Sequence, residues 1–562
     1  MKPISSNMFK LTAISAMILS TTSASAALYQ VIEVKPQTTF AFESVYGVAI
    51  QPGKVVGGNS LGCFADGTTD CESSFKLAGE TRLVATHAGQ AIDGLSYREE
   101  APFGIDNGFI YVQDDERDFE RYCRTDLRYA ICETWADIRW NVWKKEINGD
   151  QTPNAIAFVE GQATPIDETK NVVVNSLTAN AEPIGITLTP GDVTGSRRNS
   201  VKALVANTSI NIIEAGLQTR AWKTDGNYTV GSVAHEKTNN QGNFYTSKGA
   251  IWDNSGKMTE IPWQTTNPER DNRLAQGSLR DVTVKDGNIY AVGYNTFYDD
   301  RNFMQASVSS VKVGESNWIT KPVTGATVRE NGTGGDFIHS HSLLTAVNEH
   351  GIAIGEAKLS RAESGAYANR LFVVPEINDP KANFLNGSIF FAGAGGKAGA
   401  INNFNEIVGQ IDTEETREVG GKPRRKRGFI YPYGTELQGS VPERQAIFNN
   451  RAWLLDDLTN GSEFSDNNQY RIIAANDIND AGVIAATALK CTGGYDSTAH
   501  NAQCGAGKGQ EKTVAVKLVP IAGKTHKDIS PRGMDDLVVE RNGAGLGLWS
   551  LILGGLLWFR RK

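Results

Sequence analysis

Few residues in this chain have types and spacing that suggest chemistry, and they are scattered. His339 and His341, in Phe337-Ile338-His339-Ser340-His341-Ser342, would project from the same side of a strand. A metal site would need a third and fourth ligand, for which Asp336 and His350 are the candidates. Zinc catalysis would further need an open coordination position. The competing reading makes the pair solvent-facing residues ahead of the strand Leu343–Val347, and no metal is assigned. The run Gly393-Ala394-Gly395-Gly396-Lys397-Ala398-Gly399 contains GxGxxG, but a dinucleotide fold also needs a preceding strand and a following helix. A polar turn and a strand follow instead. Gly505-Ala506-Gly507-Lys508-Gly509 fails as a phosphate loop for the same reason. No GxSxG marks a hydrolase elbow. The acidic turns Asp299-Asp300 and Asp477 with Asp480 lack the spaced oxygen ligands of a calcium loop. No catalytic residue and no cofactor is therefore assigned.

Six cysteines fall into three close pairs, Cys63 with Cys71, Cys123 with Cys132, and Cys491 with Cys504. Local pairing into disulfides is the simplest connectivity, although the spacing leaves others open. Zinc is the rival reading, but the chain has no CxxC or HxxxH. The formal charge is −7, and it becomes −12 without the five terminal cations Lys2, Lys10, Arg560, Arg561 and Lys562. That sign argues against nucleic acid as a partner. The one dense basic run, Arg424-Arg425-Lys426-Arg427, reads as a solvated loop entering the strand Gly428–Tyr431, with loop cleavage by a trypsin-like protease as the alternative.

The elements around these residues are repetitive. A phrase recurs in which a polar turn leads into a short apolar run that closes on glycine. It reads GKVVGG at Gly53–Gly58, DGNYTVGS at Asp225–Ser232, DGNIYAVGY at Asp286–Tyr294, NEHGIAIGE at Asn348–Glu356, NNFNEIVGQ at Asn402–Gln410 and NDAGVIAAT at Asn479–Thr487. DNGFIYVQ at Asp106–Gln113 and NAEPIGIT at Asn180–Thr187 are weaker copies. Asn, Asp and Gly supply a tight turn, and the β-branched residues supply a strand. A second phrase, as in GAIWDNSGKMTEI at Gly249–Ile261, RGFIYPYG at Arg427–Gly434 and RAWLLDDLT at Arg451–Thr459, adds further strands. Units of about four strands cannot bury their faces alone and must stack. Radial closure hides the faces and leaves only short edges. The fold expected is all-β, a β-propeller of seven or eight irregular blades.

Asp114–Ile147 departs from this pattern and carries many helix formers. Ile131, Trp135, Ile138 and Val142 share one helical face. Nine residues of continuous helix would hold Cys123 and Cys132 about 13 Å apart, too far for a disulfide. A helical hairpin inserted in a blade loop meets both observations, with Trp135, Trp140 and Trp143 either packing on the propeller or binding a partner.

The ends carry address signals. Lys2 and Lys10, the apolar run Leu11–Leu19 and the small-residue pattern Ala24-Ser25-Ala26 make a secretory signal peptide, with cleavage between Ala26 and Ala27. The export machinery is then a partner. Gly545–Phe559 has no charge and is followed by Arg560-Arg561-Lys562, which predicts a transmembrane helix with a cytoplasmic end. Asn542-Gly543-Ala544-Gly545 and that tail resemble the glycine-led, GlyGly-CTERM-like sorting tails of proteobacterial surface proteins. The resemblance implies cutting at Gly543, Ala544 and Gly545 by a rhomboid-type intramembrane protease, after an inner-membrane stage on the periplasmic side, and release to the cell surface or medium.

The body is also similar to a family of uncharacterised exported gammaproteobacterial proteins (DUF3466-like) with extracellular HAF-like repeats. The likeness is carried by Ala27-Leu28-Tyr29-Gln30-Val31, Arg451-Ala452-Trp453-Leu454 and Ala475-Asn476-Asp477-Ile478-Asn479-Asp480-Ala481-Gly482. It implies a fold and a location, and brings no catalytic residue. The expected organisation is a signal peptide at 1–26, a repetitive domain at 27–520 holding the helical insertion 114–147, a linker at 521–543 and a transmembrane tail at 544–562. Repeats without a convergent polar cluster point to a non-enzymatic binding or scaffold module for a protein or glycan ligand. The alternative is a hydrolase or lyase acting on envelope or extracellular polymer, with its site at the central mouth of the propeller.

Overall fold

The computed structural model describes residues 27–535, apart from 38–39, 56–57, 85–90, 95–96, 101–114, 125–131, 195–196, 206–216, 240–241, 271–272, 298–301, 330–334 and 416–423. Seven antiparallel sheets form a ring. Their innermost strands are Ser44–Ile50, Asn171–Leu177, Gln218–Thr224, Ser278–Lys285, Phe337–Val347, Gly396–Ile401 and Tyr470–Ile478. Each packs on the next, and the seventh packs on the first. The fold is a seven-bladed β-propeller. Blade 7 takes its outermost strand from the N-terminus, where Tyr29–Glu33 pairs with Glu511–Pro520 from Tyr29 opposite Pro520 to Glu33 opposite Val516. That pairing closes the ring.

The closing glycines of the repeat have a common physical cause. Every inner strand carries a β-bulge at an equivalent place, with Val48, Asn175, Trp222, Arg280, Thr345, Gly399 or Asn476 as the extra residue, and the inner strands of blades 5 and 7 have a second irregularity. The residue opposite, just before the bulge, is Gly185, Gly231, Gly293, Gly355 or Gly409 in blades 2 to 6. A Cβ on Gly231 would lie 1.8 Å from the Arg220 carbonyl oxygen, and one on Gly293 would lie 2.0 Å from that of Ser278. In these blades the bulged strand takes the room that glycine leaves, whereas blade 7 has Ala486 in the same place. Val292, Ile354 and Val408 accordingly occupy equivalent places, each opposite the residue just after the bulge.

The turn asparagines of the same phrases tie the blades together. The Asn348 side chain caps its own turn by accepting from the amides of His350 and Ile352, while its Nδ2 donates to the Asn402 carbonyl of blade 6 at 3.1 Å. Asn402 repeats this with Phe404, Glu406 and the Asn479 carbonyl of blade 7, also 3.1 Å. Asn479 donates in turn to the Gln51 carbonyl of blade 1 at 3.0 Å. A single residue type thus satisfies both a turn and an inter-blade contact.

One copy of the phrase is not what the sequence suggested. Gly53, Lys54 and Val55 form no strand, and the second strand of blade 1 is Leu77–Arg82, with Gly79 in the glycine place. Asp106–Gln113 lies outside the described residues, as do Asp299 and Asp300. Asn180–Thr187, by contrast, does lead into the second strand of blade 2.

Between Arg82 and Ala157 of blade 1 lies the helical insertion, with helices Glu116–Tyr122 and Glu133–Ile147. Cys123 and Cys132 are bonded across the break between them, as Cys63–Cys71 and Cys491–Cys504 are bonded elsewhere. The buried face of the second helix is Ala136, Arg139, Val142, Trp143 and Glu146 rather than the face through Trp135 and Ile138. Polar side chains moved it. Glu146 takes Arg198 of blade 2 as an ion pair and the Tyr97 hydroxyl at 2.8 Å, and Arg198 lies 4.9 Å over the Trp143 ring.

No helix among the described residues is long and apolar enough to cross a membrane. This corrects the expected C-terminal transmembrane helix and, with it, the membrane contact, the rhomboid-type processing and the inner-membrane stage. The physical reason is length. The fifteen residues Gly545–Phe559 would span about 22 Å as a helix, against a hydrocarbon core of roughly 30 Å. Residues 544–562, the sorting residues Gly543, Ala544 and Gly545, and the signal segment ending at Ala26 all lie outside the described residues. Ala27 is the first residue described and is buried.

Candidate active site

The seven inner strands enclose a channel, and all seven bulge residues line it. Its cavity holds about 450 Å³. The residue after each closing glycine also belongs to the second strand and alternates to one face. In blades 1, 5 and 6 this residue is Glu80, Glu356 and Gln410, and in blade 7, where Ala486 takes the place of the glycine, it is Thr487; all four reach the cavity. In blades 3 and 4 it is Ser232 and Tyr294, and there the insertion fills the space. Glu100 accepts from Ser232 Oγ at 2.8 Å, Ser278 Oγ at 2.7 Å, Tyr294 Oη at 2.7 Å and Arg280 at 2.9 Å. Burial opposes charge on Glu100, but Arg280 and Arg220 outweigh it and hold the carboxyl below its ordinary range. Glu99 pairs with Arg280 at 2.6 Å and faces the cavity, joined by Ala91, Asp93, Trp135 and Arg139 of the same insertion. The insertion therefore walls one side of the channel.

Opposite that wall, Glu356 stays open. It is 8% exposed, one carboxylate oxygen accepts from the Ala398 amide, and Oε2 has no hydrogen-bond partner among the described residues. Burial pushes its carboxyl up to about 7, with Glu99 adding to the rise and Lys397 and Lys426 opposing it. Other lining atoms are also unsatisfied among the described residues, Asn369 Oδ1, Trp222 Nε1, Tyr46 Oη and two nitrogens of Arg280. Buried polar atoms without partners are uncommon in folded proteins, and here they border a cavity. Across the channel, Lys223 stands 3.4 Å from Asp281. Burial raises Asp281 and Asp477 above the usual carboxylate range, although Lys223 acts against the rise in both. Each aspartate also staples two blades, Asp281 to the Val347 amide and Asp477 to the Ile50 amide, both at 3.0 Å.

The residues singled out from sequence go elsewhere. His339 stacks on Phe384 with ring centroids 4.7 Å apart, and burial, with Arg370 nearby, pulls its pKa down to about 4. His341 Nδ1 accepts from the Met304 amide at 3.2 Å. Asp336 lies 3.3 Å from Arg361, and His350 lies beyond the far end of the strand that carries the two histidines. These four are not brought together. Gly396–Gly399 belongs to the inner strand of blade 6, where a Cβ on Gly399 would meet the Ala475 carbonyl of blade 7 at 2.5 Å. The basic run is not a solvated loop. Arg424 is buried and donates to the Gly393 carbonyl at 2.7 Å, Arg427 pairs with Asp456 at 2.8 Å, and Lys426 reaches the channel. Glu356 itself ends the phrase NEHGIAIGE. An acid directly after the closing glycine of a buried strand was the signal that could have found it.

Residues 213–562 match the family described as a protein of unknown function (DUF3466). The chain belongs to that family. The DUF3466 match begins just ahead of blade 3, so blades 1 and 2 and the insertion precede it. No curated protein matches the chain. Similar solved structures include a luciferin-regenerating enzyme (9% identity, 46% of this chain and 74% of that one, TM-score 0.22). Another is the endosialidase of phage phi92 (11%, 68% and 64%, 0.26). A third is fructan 1-exohydrolase IIa from Cichorium intybus (9%, 54% and 57%, 0.21).

The expected non-enzymatic binding or scaffold module rested on repeats without a convergent polar cluster. The channel holds such a cluster, and that reading is corrected.

Proposed function

We propose that this protein is a hydrolase or lyase acting on an envelope or extracellular glycan polymer, with Glu356 as the group that moves the proton. The observation that carries this reading is the unpartnered Oε2 of a buried carboxyl poised near neutrality, on a side chain that lines a cavity large enough for a sugar. A group titrating near 7 can both give and take a proton at working pH. As an acid, Glu356 protonates the leaving glycosidic oxygen while water adds to the anomeric carbon and loses its own proton. As a base, it takes a proton from a ring carbon beside a carboxylate; that electron pair forms a C=C bond, the neighbouring C–O bond breaks, and the departing oxygen is protonated by the now neutral Glu356 or by water. Trp135, Trp222 and Tyr46 offer aromatic surface for the sugar faces.

The proposal includes a secretory signal at 1–26 cut between Ala26 and Ala27, with the repetitive domain at 27–520. The disulfides support an oxidising compartment. The proposal extends to HAF-type repeats, a reading supported by the recurring asparagine turns, and to a GlyGly-CTERM-like tail sequence without a membrane role.

Product analysis by mass spectrometry on bacterial envelope and exopolysaccharide preparations tests the activity. Hydrolysis adds water across the bond, whereas elimination yields an unsaturated, ultraviolet-absorbing end. Glu356→Gln should lower turnover by about 10²–10⁴-fold with the fold intact. Equal product from wild type and E356Q would refute the assignment.

A further inference from the structure

The cavity lining carries seven cationic side chains and five acidic ones, in a protein whose formal charge is −7. Most of the cations are answered within the protein. Arg98 pairs with Glu80, Arg280 with Glu99 and Glu100, and Lys223 with Asp281. Lys358 donates to the Tyr367 carbonyl at 3.0 Å. Lys397 and Lys426 differ, since neither has an ion-pair partner among the described residues. Both act electrostatically on Glu356, which puts their charges around the open carboxyl. Asp412, opposite Lys426 in the ladder, feels Lys426 as its largest favourable charge, ahead of Arg424 at 3.8 Å, and binds the Gly395 amide at 2.9 Å. The positive charge least answered within the protein, that of Lys397 with part of that of Lys426, thus lies where blades 5 and 6 meet, in the lining shared with Glu356 and Asn369. A low-dielectric cleft focuses such a field on a ligand of opposite sign.

From this placement we infer that the polymer is an acidic glycan, whose anionic sugar is held by Lys397 and Lys426 while Asn369 and Glu356 meet its hydroxyls. The inference rests on the glycan reading and narrows it to one substrate class. An ammonium group is a point charge and suits either a carboxylate or a sulfate. A neutral polysaccharide would leave both lysines unanswered.

Binding separates this inference from the catalytic claim. Wild type and E356Q are titrated calorimetrically with uronic-acid oligosaccharides, with their carboxyl-reduced neutral counterparts and with sulfated oligosaccharides. At least one acidic series should bind tenfold or more tightly than its neutral counterpart, and the preferred series identifies the anion. Lys397→Gln with Lys426→Gln should remove that preference at least tenfold with an unchanged thermal midpoint, whereas Lys257→Gln on an outer hairpin should not. Equal affinity for acidic and neutral series, no binding of any acidic series, or a preference that survives the double substitution would overturn the inference. Selective binding without cleavage would leave it standing and refute only the activity. Cleavage of neutral glycans would do the reverse.

Discussion

At the residue scale the protein turns on one carboxyl. Glu356 has its pKa raised from 4.5 to about 7, so the folded state holds a proton that the unfolded chain releases between those values. Stability from this group is fully present below pH 4.5 and is lost as pH rises through about 7, by an amount on the order of 3 kcal/mol. Glutamine mimics the protonated form. Glu356→Gln should therefore match wild type at pH 4 and exceed it in urea unfolding at pH 8. A constant difference across that range would place Glu356 in a solvated setting and weaken its role as proton carrier.

At the element scale, the bulged inner strand and its facing glycine form one unit. The bulge turns an extra residue into the channel, and the glycine accepts the displaced backbone. Gly293→Ala would press a methyl group against the Ser278 carbonyl, whose oxygen stands 2.0 Å from the ideal Cβ. Either the bulge shifts or the two strands part, and overpacking of this kind costs about 1–3 kcal/mol. Denaturant unfolding should show the loss. Gly287→Ala, at a turn where a Cβ meets nothing within 4 Å, probes backbone strain alone, since its φ is +73°. Comparing the two variants divides packing from conformation.

For the whole molecule, ring closure is decisive. Leu28 and Tyr29 are fully buried, and the Leu28 amide donates to the Leu458 carbonyl at 2.8 Å while its strand pairs with the end of blade 7. Removing 27–34 exposes both side chains and an unpaired strand edge. Truncating one such side chain alone costs about 2–5 kcal/mol, and an open edge invites association. The deletion should lose its single cooperative transition and aggregate. A synthetic peptide of residues 27–36 added in trans should restore it, as read by circular dichroism and light scattering. A deletion that unfolds at the wild-type midpoint would show that the ring does not depend on this strand.

The architecture was legible because its causes are local. Asn348, Asn402 and Asn479 each satisfy a turn, and Gly293, Gly355 and Gly409 each face a bulge, so both recur along the chain. The repeats therefore announced stacked four-stranded units, and closely spaced cysteines announced their pairs. The site was not legible in this way, because its members are far apart in sequence. Glu99 and Glu100 reach blades 3 and 4 from an insertion in blade 1, while Glu356 draws Lys397 and Lys426 from the next blade. His339 looked chemical by type, yet burial against Phe384 gives it a packing role. Burial and the neighbours that radial closure supplies decide which acid keeps an open oxygen, and neither exists until the seventh blade meets the first.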